Sequence, residues 1–151
     1  MSSLLTADLL AHIGKSAPPK TERVTRRDIR KYSIATDQRL GKYLTGDEAP
    51  PMFYVALFWE VVERNQLTPD GVFIDTLLPT LPLQRAMAGG RKIKFDRPIR
   101  PDDVLIATRT LTDIYEKQGS QGPLIFYEVT MQVDDESGKP VLTETATRIM
   151  R

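Results

Sequence analysis

The stretch Ala49–Arg64 constrains the fold more than any other, being the most apolar run in the chain and the home of its only tryptophan, Trp59. Pro50 and Pro51 suit the first turn of a helix, where a missing N–H leaves no bond unmade. The first charges after them, Glu60, Glu63 and Arg64, come only after more than two apolar turns. The pattern predicts a buried helix over about Pro51–Val62. Apolar residues occur all round it, at Met52, Phe53, Tyr54, Val55, Leu57, Phe58 and Trp59, so one stripe against one sheet face would not cover it and the rest of the chain must wrap it. The run is too short for a membrane span, which needs ~20 apolar residues.

With 151 residues the chain has room for about one domain and a real core. A formal net charge of +1 gives no overall pull towards nucleic acid or an anionic membrane, so any basic site must be local. The absence of cysteine rules out disulfides and thiolate chemistry, and a single histidine, His12, argues against a metal site built on histidine; none is expected. Met1–Ile13 lacks the basic start and long apolar core of a signal peptide, and a cytoplasmic location is expected.

Leu4, Leu5, Leu9, Leu10 and Ile13 fall at roughly helical spacing with Gly14 at the expected stop, which predicts an amphipathic N-terminal helix over residues 1–14 carrying His12 at its end. Lys15–Arg23, with Pro18 and Pro19, reads as an extended connector. Thr25-Arg26-Arg27-Asp28 has capping-box form and predicts a helix over about Arg26–Thr36 that turns Ile29, Tyr32 and Ile34 or Ala35 inward. Asp37–Pro50 is a polar loop. After the apolar run, Thr68-Pro69-Asp70-Gly71 signals a turn and Leu77–Leu83 a loop.

Period-two alternation takes over from Met87-Ala88-Gly89-Gly90 onward. Strands are predicted around Ile93, over Val104–Tyr115, over Ile125–Val133 with odd positions apolar, and over Val141–Met150, separated by hairpin turns at Gln118–Pro123 and Asp134–Lys139. One buried helix followed by an antiparallel meander is an α+β arrangement in which a curved sheet rolls round the helix.

Several segments, in this order and spacing, resemble the MaoC-like or FAS1-like dehydratase N-terminal domain family. They are Val24-Thr25 with Ile29 and Tyr32; Ala49-Pro50-Pro51-Met52-Phe53; Met87-Ala88-Gly89-Gly90; Phe95-Asp96-Arg97-Pro98-Ile99-Arg100-Pro101-Asp102-Asp103; Asp113-Ile114-Tyr115-Glu116-Lys117; and Thr147-Arg148-Ile149-Met150-Arg151. The resemblance implies a single hot-dog fold over residues 15–151, a long central helix wrapped by an antiparallel sheet. It also implies acyl-thioester chemistry: hydration of a trans-2-enoyl-CoA, or dehydration of a 3-hydroxyacyl thioester of CoA or acyl carrier protein, with no cofactor beyond that carrier.

Catalytic members of the wider family carry an aspartate and, five residues on, a histidine, because a proton must move next to the thioester carbonyl while water is handled at the neighbouring carbon. In Tyr32–Lys42 the aspartate is matched by Asp37, but Lys42 stands at the histidine position. No histidine follows. The resemblance therefore implies a substrate-shaping half paired with a homologous hot-dog subunit that supplies the dyad. The alternative is a homodimeric acyl-thioester binding protein, or a weak hydratase using Asp37 alone. Asp37 otherwise reads as a residue at a helix C-terminus.

Pro51, Met52 and Phe53 are expected to line or abut the acyl tunnel. Gly89-Gly90 either lets a thioester approach the backbone or only bends the sheet. Arg91, Arg97 and Arg100 are expected at CoA phosphates, although alternation splits the local cations between two faces.

Overall fold

The structure is a computed structural model and describes residues 3–69 and 71–151; Met1 and Ser2 of the expected N-terminal helix and Asp70 of the expected turn lie outside the described residues. One sheet is built from β1 (Lys20–Arg23), β2 (Ala86–Phe95), β3 (Val104–Gly119), β4 (Gly122–Asp135) and β5 (Pro140–Met150). Its order is β1-β3-β4-β5-β2, with every neighbour antiparallel. The alternation that predicts β4 holds along its length, and Ile125, Tyr127, Val129, Met131 and Val133 are all buried. On β3, Leu105, Ala107 and Leu111 face the same way; a bulge between Leu111 and Asp113 then passes the inward position to Ile114.

Two groups of side chains roof this inner face. Over one half, Val24, Ile29, Phe53 and Tyr54 pack on Leu105, Val133, Val141 and Leu142. Over the other, Leu77 and Leu81 join Leu111, Ile114, Ile125 and Val129, with Leu4, Leu5 and Leu9 packed at the margin. The helices are short: α1 (Ala7–Leu10), α2 (Arg26–Ala35), α3 (Gly41–Leu44) and α4 (Phe53–Leu57). Thr25 caps α2, accepting from the Asp28 backbone N–H at 3.0 Å.

Three local expectations are corrected. The long central helix over Pro51–Val62 is a helix of five residues. Only Phe53 and Tyr54 are fully buried; Trp59 is 67% and Val61 98% exposed. The chain leaves α4 at Phe58 and continues without regular structure to Glu63, with Glu60 ion-paired to Lys20 on β1. Lys15–Arg23 is not merely a connector, since Lys20–Arg23 pairs with Val104–Ala107 as the edge strand β1. In α2 the second inward position is Ser33, one turn from Ile29, and Ile34 is exposed.

The β4–β5 turn is organised by Asp135. Its Oδ1 accepts from the Ser137 hydroxyl at 2.6 Å and from the backbone N–H groups of Ser137 and Lys139 at 2.9 and 3.1 Å. The Ser137 hydroxyl, then the Lys139 amide, with Arg97 adding to them, holds its carboxyl at about 2, below the ordinary 3.8. A folded value below the unfolded one means that this stabilisation is present above about pH 4 and is lost as the pH falls towards 2. Asp135→Ala should lower the urea midpoint near neutral pH, and the gap from the parent should close between about pH 4 and 2. A gap that stays constant across that window would contradict this account.

Candidate functional site

The site grows from a charged residue on the wrong face of a strand. Glu144 shares its register on β5 with buried Leu142, stands opposite Met131 on β4 and is 7% exposed. Two elements answer its charge. The hydroxyl of Tyr54, on α4, donates to Oε2, and Arg91 Nη1, on β2, donates to the same oxygen at 3.0 Å. Burial, followed by the hydrogen bond to Glu144, pushes the Tyr54 hydroxyl well above the ordinary phenol range, so it stays a neutral donor.

Arg91 reaches this carboxylate from the wall of a groove of about 600 Å³ lined by Tyr32, Met52, Val55, Ala56, Trp59 and Arg91. Every wall but Arg91 is apolar or aromatic. Phe53 lies behind the groove, 2% exposed, its ring edge-on to Tyr32 at 5.6 Å. A smaller groove of about 320 Å³ is lined by residues 48–51 and 95–99.

The expected site residues are distributed unevenly over these features. Met52 lines the larger groove, Pro51 the smaller, and Phe53 is core rather than wall. Gly89 and Gly90 lie on β2 just before Arg91, where the pairing with β5 shifts register. A Cβ on Gly89 would stand 3.0 Å from the Thr147 carbonyl oxygen, so close approach of two strands accounts for that glycine. Gly90 has φ of +137° and open space where a Cβ would be.

Arg91, Arg97 and Arg100 do not share a groove. Arg97 is held by both oxygens of Asp103, at 2.8 and 3.1 Å, and by Asp135 at 3.4 Å. Arg100 is exposed and lines neither groove.

The dyad positions are likewise separate from the groove. Asp37, with φ of +53°, follows α2, is 85% exposed in its side chain and pairs with Arg39 at 3.3 Å. Lys42 is bound to Glu48 at 2.8 Å, and that hydrogen bond raises its pKa. His12 is half-buried, with Nδ1 at 2.9 Å from the Asp8 carbonyl oxygen. Among the described residues no group of three or more acidic or histidine side chains is placed to hold a metal ion, and no helix is long and apolar enough to cross a membrane.

A family model described as the FAS1-like, dehydratase domain region matches residues 11–144. The chain belongs to this family. Its five-stranded antiparallel sheet is that of the hot-dog fold of MaoC-like dehydratases. Among solved structures, the ChsH1-ChsH2 complex from Mycobacterium tuberculosis is similar with a TM-score of 0.68 and 17% identity, over 95% of this chain and 87% of that one. The mesaconyl-C(4)-CoA hydratase of Chloroflexus aurantiacus is 28% identical over 133 residues, which is 85% of this chain and 46% of the relative. This chain thus spans about half of that protein. A UPF0336 protein of Streptomyces avermitilis is 28% identical over 154 residues, 92% of each chain. The family is one of hydratases and dehydratases.

In the sequence, Tyr54 stands out only as part of the apolar run, Glu144 only as a strand residue, and Arg91 only with the cations expected at CoA phosphates. The available signal was the parity of β5, which puts Glu144 on the same face as Leu142. Removing the Tyr54 hydroxyl takes one of two donors from a buried carboxylate. Tyr54→Phe should therefore lower unfolding stability by about 1–3 kcal/mol in denaturant titration, with no change in slope.

Proposed function

We propose that this chain is the acyl-binding, non-catalytic half of an enoyl-thioester hydratase or 3-hydroxyacyl-thioester dehydratase, completed by a homologous hot-dog subunit that brings the aspartate–histidine dyad. The observation that carries the reading is the condition of the dyad positions: Asp37 stands in solvent beside Arg39, and Lys42 is engaged by Glu48. Neither belongs to the groove wall. General acid–base work at two adjacent carbons needs two positioned groups, and loss of one typically costs ~10²–10⁴-fold.

The groove itself supports acyl binding. Its walls suit a chain of methylenes, and Ala56 and Met52 leave it open to solvent. The sheet supports a partner. β2 is an edge strand of ten residues, mostly exposed and bonded on one side only, and such an edge calls for a second strand. An obligate interface of this sort buries more than ~2,000 Å². The similar ChsH1-ChsH2 structure is a complex of two different chains.

The purified chain alone should hydrate crotonyl-CoA no faster than background, and Asp37→Asn should change nothing. Co-expression with a homologue carrying both aspartate and histidine should yield a stable complex with turnover. Robust activity of the chain alone, lost in Asp37→Asn, would instead establish the single-carboxylate enzyme. Filling the groove with Ala56→Trp, an exposed position that spares the core, should weaken acyl-CoA binding about tenfold or more in titration calorimetry while leaving the melting temperature near that of the parent.

A further inference from the structure

The larger groove is apolar on every wall except one, and that wall is a guanidinium with donors to spare. Arg91 spends Nη1 on Glu144, and its Nε and Nη2 have no hydrogen-bond partner among the described residues. Its side chain is 36% exposed, whereas that of Glu144 is 10% exposed. The carboxylate behind it therefore acts as an anchor. Glu144, itself held by Tyr54, tethers the guanidinium through Nη1 on a residue that lines the groove. Nε and Nη2 form the side-on fork of an arginine, whose two parallel N–H groups match the two oxygens of a carboxylate.

We propose that Arg91 reads a carboxylate at the far end of the acyl group, so that the substrate class is the mono-thioester of a dicarboxylic acid and not a plain fatty acyl thioester. This rests on the acyl-binding reading above and names what the groove selects. A simple alkyl chain entering the groove strips water from the free N–H groups of Arg91 and puts nothing in its place, leaving donors unmet. A terminal carboxylate replaces that water with a bidentate, charge-assisted pair. Sites built to hydrogen-bond a ligand group discriminate strongly against the analogue that lacks it, because their own polar groups are then left unpaired. The remaining walls, Tyr32, Met52, Val55, Ala56 and Trp59, suit the methylenes between that carboxylate and the thioester.

The test compares acyl-CoA ligands matched in carbon number that differ only in a terminal methyl or carboxylate: butyryl-CoA with succinyl-CoA, and hexanoyl-CoA with adipoyl-CoA. Affinities are measured by titration calorimetry on the protein in the assembly in which it purifies. In at least one pair the carboxylated ligand should bind about tenfold or more tightly. Arg91→Gln alone strands a buried carboxylate and risks the fold. The double variant Arg91→Gln with Glu144→Gln removes both charges together and keeps an amide pair in their place. In it the preference should fall to about one, and in Arg91→Lys, which keeps the charge without the fork, it should drop at least severalfold. Equal or tighter binding of the methyl-ended ligand in both pairs overturns the carboxylate proposal while leaving acyl binding intact. A preference that survives in the double variant also overturns it, since the carboxylate is then read elsewhere. Binding of none of the four ligands overturns both this proposal and the acyl-binding reading.

Discussion

Glu144 sits on the buried face of β5, and the arrangement of three elements depends on the carboxylate being answered there. An isolated charge at this depth would cost several kcal/mol, so α4 has to present Tyr54 and β2 has to present Arg91 at one oxygen. These two contacts fix where α4 lies over the sheet and which way the inner face of β2 turns. They also explain why a fully buried tyrosine is tolerated in an otherwise apolar cluster, since its hydroxyl has a partner within that cluster. The ion pair is not a large source of net stability, because pairs of this kind roughly offset their own desolvation. Its consequence is positional: the groove wall carries one oriented cation.

The rest of the roof follows from covering a long sheet with short elements. β3 runs for sixteen residues and β4 for fourteen, more than one helix of five residues can shield. The inner face is closed in two parts, one by α2 and α4, the other by Leu77, Leu81 and the N-terminal leucines. The second part is anchored where Asp75 meets Arg109 at 2.5 Å. The groove opens beside α4, where the helix ends at Phe58 and Trp59 follows.

Sequence pattern revealed the sheet far better than the helix. Alternation over Ile125–Val133 identifies both the strand and its buried face, because a strand residue's side is set by parity alone. The Thr25 cap and the turn at Asp135 are equally readable, since each depends on a side chain bonding to backbone a few residues away. The apolar run misled for a different reason. Its composition does not say that one helix places all of its side chains; Met52, Trp59 and Val61 remain exposed, and Glu60, beyond the helix end, pairs with Lys20, far away in sequence. The candidate site was half legible for the same reason. Met52, expected from the resemblance at an acyl tunnel, and Arg91, expected at CoA phosphates, both line the larger groove, whereas their relation to Tyr54 and Glu144 exists only after β2 and β5 pair. Phe53 and Arg97, expected at ligands, are taken up by the core and by Asp103.

The two positions that the resemblance matches to the dyad are both engaged in ion pairs. Glu48, which binds Lys42, lies at the mouth of the Ala49–Pro51 segment that leads into α4, so this ion pair ties the loop carrying Asp37 and Lys42 to the base of α4. An exposed pair of this kind contributes little energy. Meanwhile the groove on the other side of α4 keeps its apolar walls and one oriented cation. The groove and the edge strand β2 meet at Arg91, which lines the one and belongs to the other, so a strand added to that edge would lie beside the groove wall.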